Sequence, residues 1–129
     1  MKTNILLVDD EAIYHFLNSK IITLTTGVDC NIQSATNGKE GIDLLNRQLA
    51  SGGPAPDAIF VDLDMPIMNG FGFVRAFRDL TLPDRDKIIL AVLTSSYDEK
   101  EKAEAENLGV THYLSKPLSE DHVRKILMS

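Results

Sequence analysis

The stretch FVDLDMPIMNG occupies residues 60–70. An apolar run ends in two acids, Asp62 and Asp64, and gives way to Met-Pro and then Met-Asn-Gly. Asp, Asn, Pro and Gly all favour turns, so the stretch alone is readable as a plain strand end. Working outward, the same event recurs. NILLV (4–8) is followed by Asp9, Asp10 and Glu11, KIILAVL (87–93) by Thr94, Ser95 and Ser96, and HYL (112–114) by Ser115, Lys116 and Pro117. One polar strand end is a turn; four of this composition are hard to explain as turns.

Segments of helical period lie between these runs. In 11–24, Ile13, Leu17, Ile21 and Leu24 fall on one stripe, which predicts the buried face of a first helix. A second helix starts at Asn37-Gly38 with Ile42, Leu45 and Leu49 on one side, and a third carries Phe73, Val74 and Phe77. The charged segment 98–110 offers only Ala103 and Leu108 as an apolar face, with Gly109 as its C-cap. The last helix opens on Ser119 as N-cap and buries Val123, Ile126 and Leu127. Adding CNIQSA (30–35), the strand and helix patterns alternate five times. That predicts an α/β doubly wound sheet spanning residues 1–129 as one domain. ILLV and IILAVL, apolar on both faces, suit central parallel strands, whereas the more polar 30–35 suits an edge. The loop 49–56 carries no sign of a domain boundary.

The chain has 129 residues, 43% hydrophobic and 25% charged, with a formal net charge of −6. One core of ordinary globular composition is expected. The acidic balance argues against nucleic acid or an anionic membrane as partner. The longest apolar run, 88–93, is too short to span a bilayer, and the N-terminus lacks the features of a signal peptide. The lone Cys30 reads as a buried, inert thiol, and the cytoplasm as the compartment.

In an open parallel sheet the carboxyl ends of the strands share one edge, and the crevice there is where such folds place their sites. Asp9, Asp10, Asp62, Asp64, Thr94 and Lys116 therefore converge. Two like charges about 4 Å apart at an effective dielectric near 20 repel by about 4 kcal/mol. Such a cluster either takes up protons or binds a cation. Oxygen ligands with room for water suit Mg²⁺ best. A carboxylate beside a divalent ion, a lysine and a hydroxyl is a set that can accept a phosphoryl group.

VDDE (8–11), FVDLDMP with NG following (60–70), Thr94-Ser95 and YLSKP (113–117) together resemble the receiver domain of two-component response regulators, in order and spacing and over essentially the whole chain. The resemblance implies a flavodoxin-like fold with five parallel strands in the order 2-1-3-4-5 and helices on both faces. It implies Asp62 as phosphoacceptor, Asp10 as a direct Mg²⁺ ligand, Asp9 as an acid holding the ion through water, and the Asp64 backbone carbonyl as a further ligand. Lys116 would contact the phosphoryl oxygens and Thr94 would donate its hydroxyl to them. Tyr113 matches an aromatic switch whose ring turns inward when Thr94 shifts, and the bond before Pro117 is commonly cis in the family. The implied function is a signalling switch, not a multiple-turnover enzyme. Its phosphodonor would be a histidine kinase or phosphotransfer protein, and its output partner would read the fourth helix, fifth strand and fifth helix. Tyr14 and Phe16 read either as core or as apolar contacts to a kinase helical bundle.

Some positions depart from the family pattern. Asp64 and Ser96 occupy places where the family tunes phosphoryl loss, and Asn69 stands where many members have Asp. The short last helix, with no effector domain after it, suggests a stand-alone, chemotaxis-regulator-like protein or a trimmed longer one. Two other readings compete. A haloacid-dehalogenase-type phosphatase would use Asp62-x-Asp64, but that motif normally follows the first strand and Pro66 stands where Thr or Val is expected. A degenerate receiver would bind partners without phosphorylation, against the retention of Asp9, Asp10, Asp62, Thr94 and Lys116. Gly70-x-Gly72 is followed by Arg75 where a dinucleotide fingerprint needs glycine, and so reads as a tight turn.

Overall fold

In the computed structural model, residues 3–27, 30–65, 68–82 and 85–128 are described; Pro66 of the D-x-x-M-P stretch lies outside them. Strands β1 (Thr3–Val8), β2 (Cys30–Ala35), β3 (Ala58–Asp62), β4 (Ile89–Thr94) and β5 (His112–Ser115) alternate with five helices. These are α1 (Ala12–Thr26), α2 (Gly38–Ser51), α3 (Gly70–Arg78), α4 (Glu99–Asn107) and α5 (Glu120–Leu127), with a short 3₁₀ turn over Arg85–Lys87. All pairings are parallel and the strand order is β2-β1-β3-β4-β5, the expected doubly wound, flavodoxin-like arrangement. The order reverses between β1 and β3, so the ends of these two strands flank the switch point where such sheets open a crevice.

Successive strand residues face opposite sides of the sheet, which divides the core into two layers. On one side Leu6, Val8, Ile59, Val61, Leu90 and Val92 pack with Leu45 of α2, Phe73, Val74 and Phe77 of α3, and Ala105 of α4. On the other, Ile5, Leu7, Phe60 and Leu93 meet Ile22 of α1 and Val123 and Ile126 of α5. The central strand β3 is buried throughout, as its uninterrupted apolar sequence requires. Four helices start on side-chain caps that satisfy otherwise orphaned N–H groups. Asn37 accepts from Glu40 N, Asn69 from Gly72 N, Asp98 from Lys100 N, and Ser119 from His122 N, the last closing a reciprocal capping box. Gly109 follows α4 at φ +87°, where a side chain would be strained.

Several burial expectations are corrected: Leu49 of α2 is exposed and Leu127 of α5 only half-buried, each at the margin of its helix's inward face. In α1 the stripe Ile13, Leu17 and Leu24 faces outward, at 55, 40 and 72% exposure, and Ile21 is half-buried. The inward face is Asn18 and Ile22, about 100° round the helix, because two polar-tipped side chains are held there by the site. Asn18 accepts the Leu118 N–H at 3.2 Å, and Tyr14 covers Lys116. In α4 the buried residue is Ala105, not Ala103, since the helix presents that turn to Val110 and the sheet. Cys30 is half-buried, with Sγ 3.1 Å from Thr26 Oγ1. The cis bond implied before Pro117 is present. Among the described residues no helix is long and apolar enough to cross a membrane.

Candidate functional site

The strand ends deliver their polar residues to one place. Asp9 leaves β1 with its amide bonded to the Ala35 carbonyl (3.0 Å), which continues the β-ladder one residue past the strand. Its carboxylate Oδ1 accepts the Glu11 N–H at 2.9 Å, and His15 Nε2 donates to its carbonyl at 2.6 Å. The β1–α1 turn is thereby locked around the acid. Asp62 is the last residue of β3, and its Oδ1 accepts the Asp64 N–H at 3.2 Å. Directly behind it sits Gly70. A Cβ there would lie 2.7 Å from the Asp62 carbonyl oxygen and 2.8 Å from the Leu63 Cα, so the α3 N-terminus approaches only because position 70 has no side chain.

Lys116 joins the two acids. Its Nζ lies 3.0 Å from Asp9 Oδ2 and 3.2 Å from Asp62 Oδ1, and all three side chains are at most 5% exposed. Burial lowers the lysine's affinity for its proton, but the two carboxylates outweigh that and hold its pKa above the ordinary range. Asp62 shifts the other way for a carboxylate. Burial first, and then the negative charge of Asp9, push its pKa from 3.8 up to about 6, against the pull of Lys116. The ionised cluster is therefore under-compensated by one lysine.

Asp10 completes the group: one carboxylate oxygen from each of Asp9, Asp10 and Asp62 lies within 4.8 Å of the others. Asp10 is exposed while its two partners are buried, so the cluster opens to solvent on one side. Apart from the ion pair with Lys116, the buried Asp9 Oδ2 has no hydrogen-bond donor among the described residues. Three converging oxygens, one of them short of donors, fit a hard divalent cation with water in its remaining positions.

The other expected residues surround this centre. Thr94, ending β4, is fully buried; its Oγ1 accepts the Ser96 N–H at 3.0 Å and its carbonyl accepts the Lys116 N–H at 2.8 Å. Asp64 is exposed, and the structure shows its amide, not its carboxylate, engaged with Asp62. Tyr113 of β5 is turned inward, 8% exposed, with burial raising its pKa. Its ring packs against Tyr97 at 5.0 Å between centroids. Tyr97 has no signal in the sequence, and His15 reads there only as a scattered surface or satisfied histidine. Tyr14 was read only as core or kinase contact, yet its ring lies over Lys116 Nζ at 3.8 Å. Its spacing, four residues past Asp10 and in the first helical turn, was the available signal.

The profile of the response regulator receiver domain matches residues 5–128. The chain belongs to the response regulator receiver family. As a receiver it is 31% identical to two-component response regulator 24 of Arabidopsis thaliana, over 98% of this chain and 82% of that protein. It is 27% identical to hybrid signal transduction histidine kinase L of Dictyostelium discoideum, over 95% of this chain but only 7% of that much longer protein. A two-component response regulator from Cytophaga hutchinsonii superposes on it with a TM-score of 0.87 at 36% identity, covering 98% of this receiver and 95% of the other chain. Receiver homologues thus occur both in response regulators and within histidine kinases.

Proposed function

We propose that this receiver, residues 1–129 taken as one domain, is a phosphorylation-driven switch with Asp62 as acceptor. The observation that carries the reading is the convergence of Asp9, Asp10 and Asp62 within 4.8 Å, with the Lys116 ammonium 3.2 Å from Asp62. An Asp62 carboxylate oxygen attacks the phosphorus of a phosphohistidine on a kinase or phosphotransfer protein. As the O–P bond forms the P–N bond breaks, and the imidazole leaves with the bonding pair. Lys116 follows the charge onto the transferred oxygens, and the Thr94 hydroxyl turns to donate to them. Asp9, Asp10, Asp62 and the backbone carbonyl of Asp64 would hold Mg²⁺, which when bound supplies positive charge against the carboxylates and the phosphoryl oxygens.

The inward Tyr113 suits a switch read through α4, β5 and α5 by a downstream protein. This domain works in the cytoplasm, contacts no nucleic acid or membrane, and turns over only its own phosphoryl group. The exposed Phe16 on α1, at 60%, suits docking to a kinase helical bundle.

Intact-protein mass after incubation with acetyl phosphate tests this directly. One added phosphoryl group is expected with Mg²⁺, none without it, and none in Asp62→Asn. Addition to Asp62→Asn, or no addition to wild type with Mg²⁺, overturns the reading.

A further inference from the structure

An ammonium group has three N–H donors and no acceptor. For Lys116, the Asp9 and Asp62 carboxylates lie at 3.0 and 3.2 Å, and the Tyr14 ring centroid lies 3.8 Å from the same nitrogen. The side chain is 3% exposed. We infer that Tyr14 is a positioning residue for phosphoryl transfer, its ring holding the Lys116 ammonium dry and aimed at the atoms that react on Asp62. The inference rests on the receiver reading of Asp62 and adds to it a residue on α1.

The chain places the ring with little freedom. Tyr14 is in the first turn of α1, its amide bonded to the Glu11 carbonyl at 3.1 Å. Glu11 N–H and His15 Nε2 are both tied to Asp9, at 2.9 and 2.6 Å. The turn that fixes the acid pairing with Lys116 therefore also fixes the ring above it. A lysine ammonium is a compact, strongly hydrated charge on a flexible stem, and without a wall it takes up water and leans toward solvent. An aromatic face attracts a cation through its quadrupole, most strongly when water is excluded.

The chemistry explains why a ring suits this place better than a polar group. With acetyl phosphate as donor, an Asp62 oxygen bonds to phosphorus as the P–O bond to the acetyl group breaks, and acetate departs with the electron pair. Asp62 gives up its charge, and the three transferred oxygens carry negative charge that the lysine must meet. A carboxylate above Nζ would compete for the ammonium and add a further acid to the cluster. A ring face attracts without a fixed hydrogen-bond direction, so the ammonium can slide from Asp62 Oδ1 to a phosphoryl oxygen. Excluding water from that side keeps the new charge interaction strong.

The test compares rates of acetyl-phosphate labelling with Mg²⁺ in wild type, Tyr14→Phe and Tyr14→Leu. Loss of the ring face is expected to slow Tyr14→Leu about tenfold, while Tyr14→Phe stays within about twofold of wild type. In a Lys116→Met background, Tyr14→Leu is expected to cause no further slowing, because the ring acts only through the ammonium. Equal slowing by Phe and Leu, or slowing that multiplies in the Lys116→Met background, overturns the inference. So does a Tyr14→Leu rate equal to wild type, although the receiver reading then stands; no labelling of wild type sinks that reading instead. Should Tyr14→Leu fail to fold or Lys116→Met label too slowly to read, the NMR shifts of the Lys116 ε-methylene protons decide. Ring current is expected to move them upfield of the other lysines in wild type and in Tyr14→Phe, and ordinary shifts in wild type overturn the inference.

Discussion

Phe60 and Asp62 stand two residues apart on β3, on the same face of the sheet, and are 1 and 3% exposed. The body of the strand and its carboxyl end are thus equally hidden but serve opposite ends. Phe60 fills a layer with Ile5, Leu7, Leu93 and Ile22, where every atom removed from water favours folding. Asp62 is kept from water beside another acid, and one buried lysine only partly offsets the cost. The strand's apolar body stabilises the fold, and its last residue draws on that stability to hold a carboxylate out of water.

Substitutions at the two positions should therefore have opposite signs. Phe60→Ala is expected to destabilise the protein by about 3–5 kcal/mol, through lost burial and the cavity left behind. Urea unfolding measures it; a loss below about 1 kcal/mol would mean that the layer collapses around the gap. Asp62→Asn in metal-free protein is expected to stabilise at neutral pH. The pKa of Asp62 is raised in the fold, so its proton favours the folded state. That contribution is fully present below about pH 4, where both states are protonated, and disappears as pH rises through about 6. The rise from 3.8 to about 6 caps the gain from Asn above that pH at on the order of 2–3 kcal/mol. The gain should vanish in unfolding measured below pH 4. A variant less stable than wild type at pH 8 would break the contrast.

How much of this was legible beforehand follows the same line. Alternating apolar runs announced the sheet, and acids, Thr94 and Lys116 after successive strands announced the crevice, because a parallel sheet brings all such ends to one edge. Phe73, Val74 and Phe77 lie in the core as their period predicts, since the apolar stripe of α3 has one use, filling the layer it shares with α2 and the sheet. α1 misled because it has two faces to serve. Its inward face carries Tyr14 and Asn18, which reach Lys116 and the Leu118 amide, and its apolar stripe points outward. Periodicity reports which residues are apolar together, but not which side a site claims. Tyr97 against Tyr113 was invisible for a different reason: it is a contact between a loop and a strand, with no sequence period to reveal it.

The displayed face of α1 gives the smallest stability effect expected here. Phe16 is 60% exposed beneath the Lys20 ammonium, 5.7 Å from its ring centre, and Leu24 is 72% exposed two turns further on. Neither fills the core, so Phe16→Ala and Leu24→Ala should each change unfolding free energy by no more than about 0.5 kcal/mol. The two differ in distance from the crevice: Phe16 lies in the same part of the helix as Tyr14, and Leu24 near its far end. A partner that delivers phosphohistidine to Asp62 must cover the near end first. Phe16→Ala is therefore expected to slow transfer from a phosphorylated kinase several-fold and Leu24→Ala less. Labelling by acetyl phosphate, which needs no docking, should be unchanged in both. Equal losses with acetyl phosphate and kinase would place Phe16 in the chemistry, not the docking. A large stability loss in Leu24→Ala would return the stripe to the core, where its periodicity first placed it.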